Sequence, residues 1–152
     1  KYYTPDANST MRMTYGQVKD YNPADAVHYD WYTSLSGVIQ KEDSTNEEFI
    51  VHPKLKDLYQ KKDFGPYGKE DVNVCFITNT DITGGNCGSP VINAKGELIG
   101  IAFDGNWEAM SGNLDFENSV QRTINVDIRF VLFIIDKFAG ASYLINEMKI
   151  VQ

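Results

Sequence analysis

The chain has 152 residues, 42% of them hydrophobic and 23% charged, and a formal net charge of -7. That is enough chain for one domain, which buries roughly 70% of its unfolded surface without metal or disulfide staples. The acidic balance, with no basic stretch denser than Lys54–Lys62, argues against nucleic acid or an anionic membrane as partner, and the longest apolar run, Phe130–Ile135, is too short to span a bilayer.

Taken in chain order, Thr10–Lys19 alternates apolar and polar residues and predicts a strand. Tyr21–Tyr32 reads as a loop broken by Asn22-Pro23, and Ser34–Lys41 as a second strand. Glu47–Phe64 has helical character: Leu55, Leu58 and Tyr59 fall at i, i+3, i+4, Pro53 suits a first turn, and Glu47-Glu48 suit a solvated helix start. Val72–Thr78 predicts an apolar strand. A glycine loop follows, then Pro90–Asn93 and Leu98–Phe103 joined through Asn93-Ala94-Lys95-Gly96 as a hairpin. Val120–Val126 alternates again. Asp127, with Arg129 as an ion-pair neighbour, suits the cap of a helix that Gly140 ends, and Ser142–Lys149 predicts a short last helix. About six short strands with helices gathered at the C-terminal end, and no parallel crossovers, predict a mainly β fold: an antiparallel barrel or sandwich with a helical tail over 127–149.

The chemistry concentrates in Thr80–Asn93, "TDITGGNCGSPVIN". Acyl transfer needs a nucleophile on a sharp turn and backbone N–H groups aimed at the oxyanion. Glycines flanking Cys87 permit such a turn and a close approach by substrate. The N–H groups of Gly85 and Cys87 are the candidate donors, and Pro90 commits the chain to a strand. A glycine-rich hairpin with a buried cysteine is the plainer alternative. The second cysteine, Cys75, lies in the apolar run Val72–Ile77, so the two thiols are expected to stay free. No Cys/His cluster has metal-ligand spacing, so no metal or cofactor is expected.

An apolar strand before the loop and a hairpin after it resemble the second barrel of chymotrypsin-like proteases, and "GNCGSP" resembles their nucleophile motif. With Gly96–Gly112 "GELIGIAFDGNWEAMSG", Gln121–Ala141 "QRTINVDIRFVLFIIDKFAGA" and Lys1–Gly16 "KYYTPDANSTMRMTYG", the resemblance is to the C-terminal part of the dipeptidyl-peptidase 7 and 11 family, exported bacterial serine exopeptidases. It runs along nearly the whole chain. The resemblance implies a six-stranded second barrel of a double β-barrel, so that residues 1–152 are a segment of a longer peptidase. Its partners would be a peptide substrate, the N-terminal barrel and helical domain of the parent, and in the full-length enzyme a possible second copy. It implies a periplasmic or otherwise exported location. The family's catalytic His and Asp lie in the N-terminal barrel, outside this chain, so the isolated chain is expected to be inactive. The start at Lys1, without an initiator Met, fits a piece of a longer protein or a mature product.

Residue by residue, the resemblance makes Cys87 the occupant of the nucleophilic serine position and Asp104 the carboxylate that binds the substrate's free α-amino group. Gly105 stands where the acid-preferring branch has Arg, which leaves an open, uncharged pocket and implies cleavage after hydrophobic residues, as in the dipeptidyl-peptidase 7-like branch. The cysteine is an introduced exchange, a natural variant with weak or no activity, or a true cysteine nucleophile as in viral chymotrypsin-like enzymes; the breadth of the resemblance weighs against the last. The alternative function is a non-catalytic module that captures peptide N-termini. His28 and His52 lie outside any general-base motif, so both are expected to be surface or structural. Trp107, Met110 and Phe116 are candidates to line a substrate site, with hydrophobic core preferred for at least two of them.

Overall fold

The hairpin predicted after the glycine loop is present: β5 (Pro90–Ile92) pairs antiparallel with β6 (Leu98–Gly105). Its turn is held by the Gly96 N–H donating to the Asn93 carbonyl at 2.9 Å and by the Asn93 side chain accepting from Lys95 and Glu97. The computed structural model describes residues 9–112 and 115–151. They fold as two units, one of residues 9–32, 75–112 and 115–126, the other of 33–74 and 127–151.

The structure is mainly β, with two antiparallel sheets. β1 (Tyr21–Ala24) and β2 (Val27–Tyr29) form a two-stranded hairpin. The five-stranded sheet has the order β3 (Tyr32–Ser34), β4 (Asn73–Thr78), β7 (Thr123–Asp127), β6, β5. No closed barrel forms among the described residues, which corrects the six-stranded expectation. Two of the strands counted toward closure are absent. Thr10–Lys19 touches the sheet only through the isolated bridge Val18–Thr78 and neighbouring bonds, because the alternating Met11, Met13 and Tyr15 find no facing surface and stay exposed. Ser34–Lys41 is a helix instead. Conversely Tyr21–Tyr32 is not a plain loop: Pro23 sits in a two-stranded ribbon, where a missing N–H leaves no central ladder broken.

In the first unit, β4 and β7 pair in register from Cys75–Val126 to Thr78–Thr123. Alternate residues of β7 are buried, and the inward ones are polar. Thr123 Oγ1 therefore donates to the Thr80 carbonyl at 2.7 Å, and Asn125 Nδ2 to Thr78 Oγ1 at 3.1 Å, while Asn125 Oδ1 is buried without a partner among the described residues. Gly100 of β6 packs directly on β4: a Cβ there would lie 2.6 Å from the Phe76 ring and 2.7 Å from the Val126 carbonyl oxygen.

The second unit has its own apolar core of Leu35, Leu58, Phe64, Val72 and Phe133, each worth about 1.5–3 kcal/mol when fully buried. Leu35, Val38 and Ile39 recur at helical spacing, and α1 (Leu35–Gln40) buries Leu35 completely. α2 (Pro53–Gln60) starts at Pro53 as predicted but is shorter: Glu47–Phe49 is a separate 3-10 turn, so Glu47-Glu48 do not open α2. α3 (Ile128–Phe133) is capped by Asp127, which accepts from the Arg129 N–H at 2.8 Å and pairs with its guanidinium at 2.6 Å. It runs on as a π-helical turn, Ile134–Phe138, and α4 is only Ser142–Ile145. No described helix is long and apolar enough to cross a membrane.

Candidate functional site

The loop between β4 and β5 closes on itself before it reaches the thiol. The Asn86 N–H donates to the Thr83 carbonyl at 3.2 Å, and the Thr83 N–H donates to Asn86 Oδ1 at 3.0 Å. Gly85 and Gly88 have φ of 97° and 87°, a region that side chains with a Cβ avoid, so glycine is needed on both sides of Cys87. The loop is then tied to β6: the Gly88 N–H donates to the Ala102 carbonyl at 2.8 Å, and the Ala102 N–H to the Ser89 carbonyl at 3.0 Å. Cys87 is exposed and free, and its thiol donates to the Phe103 carbonyl at 3.1 Å. The buried-cysteine reading of the loop is therefore excluded. Among the described residues, nothing accepts a hydrogen bond from the N–H of Gly85 or of Cys87. The arrangement joins an accessible sulfur to two uncommitted donors two residues apart.

Asp104 is the next residue of β6 after Phe103. It is exposed, and its carboxylate accepts from the Gly105 N–H at 2.8 Å. Gly105 faces the 3-10 turn Trp107–Ser111: a Cβ on Gly105 would sit 3.0 Å from the Ala109 Cβ. The candidate residues Gly85, Cys87, Asp104 and Gly105 thus gather on one loop and the strand it is bonded to. Trp107 and Met110 are 84% and 78% exposed and Phe116 is half-buried, which corrects the expectation that at least two of the three belong to the core. Trp107 and Met110 are three apart in a 3-10 turn, so they share a face.

Neither histidine hydrogen-bonds to Cys87. His28 shares a hydrogen bond with Asn22 at 3.0 Å and lies 3.5 Å from Asp20. In the second unit His52 caps α2, its Nδ1 accepting from the Lys54 N–H at 3.1 Å, and its ring meets Phe138 edge-on. Both therefore have the surface or structural settings expected of them. Among the described residues, no three His, Cys, Asp or Glu side chains come together as a metal site would require.

Two polar residues behind the site escaped the sequence reading. Arg122 is 1% exposed. Its guanidinium donates to the carbonyls of Lys19, Asp20, Asn118, Ser119 and Gln121 and stacks over Tyr21. Burial draws its pKa below the usual arginine value. Asn106, buried, binds the backbone of the same segment. Tyr21 donates to Glu108 at 3.1 Å, and its pKa is raised, chiefly by burial. An arginine beside a strand normally reads as solvated, so "VQRTIN" carries no signal of this role.

The sequence matches the Peptidase S46 family over residues 1–150. The chain belongs to the Peptidase S46 family. It is 63% identical over 150 residues to dipeptidyl-peptidase 7 of Phocaeicola vulgatus, covering 97% of this chain and 21% of that protein. It is 54% identical over 149 residues to the Asp/Glu-specific dipeptidyl-peptidase of Porphyromonas gingivalis, covering 97% and 21%. The crystal structure of Porphyromonas endodontalis DPP11 in complex with substrate superposes with a TM-score of 0.86 at 51% identity, over 88% of this chain and 20% of that one. This Peptidase S46 chain therefore spans about a fifth of the length of the relatives it matches.

Proposed function

We propose that the chain is the nucleophile-bearing segment of a dipeptidyl peptidase that removes dipeptides from free N-termini. The observation that carries this reading is the exposed Cys87 sulfur, held between glycines in left-handed conformation and bonded to β6 one residue before Asp104. In this reading Cys87 occupies the position of a nucleophilic serine, in a sheet of chymotrypsin-like descent. Its side chain attacks the carbonyl carbon of the second residue, and the N–H groups of Gly85 and Cys87 hold the oxyanion. Collapse expels the shortened peptide as an amine, which takes up the proton removed from the nucleophile. Water then hydrolyses the acyl-enzyme and frees the dipeptide. The base that carries the proton belongs to the rest of the parent chain, so the isolated segment is inactive. Asp104 holds the substrate ammonium by a charge-assisted hydrogen bond, and Gly105 leaves room for an apolar side chain before the cleaved bond. The resemblance to exported enzymes supports a periplasmic location for the parent.

A second reading is favoured by the cysteine and, among the described residues, by the lack of any base hydrogen-bonded to it: a module that captures peptide N-termini without cutting. The deciding experiment measures kcat/KM in the full-length parent for dipeptide substrates ending in Leu, Phe and Asp. Faster cleavage after Leu and Phe is the expected result. A preference for Asp with Gly105 in place overturns the pocket assignment, and absence of turnover with either Cys or Ser at position 87 leaves the binding module.

A further inference from the structure

The Asp104 carboxylate has no long-range partner among the described residues; it accepts only from the neighbouring Gly105 N–H. Its direction is therefore set by the backbone that follows it. That backbone is locked at Asn106, which is 9% exposed. The Asn106 N–H donates to the Arg122 carbonyl at 2.9 Å, and the Arg122 N–H donates back to Asn106 Oδ1 at 2.8 Å. Asn106 Nδ2 donates to the Val120 carbonyl and to Glu108 Oε2, each at 2.8 Å. The Asn106 carbonyl accepts from the Ala109 N–H at 2.9 Å and so starts the turn that lies against Gly105. A carboxamide offers two donors and an acceptor at one carbon, and Asn106 uses all three. Aspartate has the shape but not the donors, and would set its charge beside Glu108.

We propose that Asn106 is a positioning residue: it orients Asp104 toward the substrate ammonium by clamping the end of β6 to Arg122 and Val120. The proposal rests on the reading of Asp104 as the amine anchor. It gives the buried amide a role in affinity for the charged N-terminus, distinct from attack on the carbonyl.

The test uses the full-length parent with Ser at position 87 and dipeptide substrates, with Asn106→Ala, Asp104→Ala and the double variant. Asn106→Ala is expected to raise KM roughly tenfold with a much smaller change in kcat, and to add nothing in the Asp104→Ala background, since residues acting through one another are non-additive. Asn106→Asp, which keeps the shape, is expected to behave likewise and serves where the alanine variant does not fold. A KM effect that persists undiminished without Asp104, or a fall in Tm with KM unchanged, overturns the proposal. An Asp104→Ala enzyme with unaltered KM overturns the anchor reading itself, and the proposal with it.

Discussion

The Cys87 sulfur lies 3.1 Å from the Phe103 carbonyl oxygen, so the tip of the glycine loop rests on β6 immediately before Asp104. A hydroxyl at position 87 can make the same hydrogen bond, being the same shape with a shorter reach. An oxyanion site and base suited to oxygen do not automatically serve sulfur.

In the full-length parent proposed above, Cys87→Ser is therefore expected to raise kcat/KM by more than ~10-fold, about 1.4 kcal/mol of barrier, and Cys87→Ala to remove turnover. Initial rates on dipeptide naphthylamides measure both. A cysteine form as fast as the serine form contradicts the serine-type assignment.

Neither cysteine is in a disulfide; Cys87 is exposed and Cys75 partly buried in β4. Alkylation of the folded protein is expected to label Cys87 first, because its sulfur is open to the reagent while Cys75 is partly covered by the sheet. The denatured, unreduced chain is expected to take up label at both positions. Peptide mass mapping over a time course distinguishes the order, and an intact disulfide in that sample contradicts it.

Gly105→Arg in the parent is expected to shift the ratio of kcat/KM for Asp-ended over Leu-ended substrates upward by at least ~10-fold, since the guanidinium offsets the desolvation of a carboxylate. The new Cβ meets the Ala109 Cβ at 3.0 Å, so the turn must give by a few tenths of an ångström. Ala109→Gly on top of it removes that contact and is expected to keep the new preference. Unchanged specificity in both variants removes Gly105 from the pocket.

Tyr67 donates to Asp136 Oδ2 at 3.0 Å, and its pKa is pushed up to about 12, first by burial and then by the carboxylate. Its folded value exceeds the unfolded value of about 10, so the stability it contributes is fully present below pH 10. It is lost as the unfolded chain gives up its proton first, between about pH 10 and 12. Tyr67→Phe is expected to cost about 1 kcal/mol at neutral pH and to flatten the alkaline fall in that window. Urea denaturation across the pH series reads both effects.

Much of the site was legible because its determinants are local. Gly85 and Gly88 mark left-handed backbone, Asn93–Gly96 marks a hairpin, and Asp127 marks a cap whose carboxylate is spoken for by Arg129. What was hidden depends on distant partners. The alternation of Met11, Met13 and Tyr15 predicts a strand, yet only Val18 finds an edge to bridge. Ser34–Lys41 predicts a strand, yet it forms a helix that sets Leu35 in the core with Val38 packed against it. Arg122 and Asn106 look like surface residues because their partners are backbone carbonyls and N–H groups brought close only by the fold.

Gly100 bears on how this sequence can evolve. Every residue one base change away from a glycine codon carries a Cβ, and at this position each would drive that carbon into the Phe76 ring and the Val126 carbonyl. A smaller side chain opposite would relieve only the ring contact; the Val126 carbonyl is backbone at 2.7 Å and stays, so the position is closed to a side chain whatever stands at 76. Related sequences are expected to keep glycine here even where the residue at position 76 has changed.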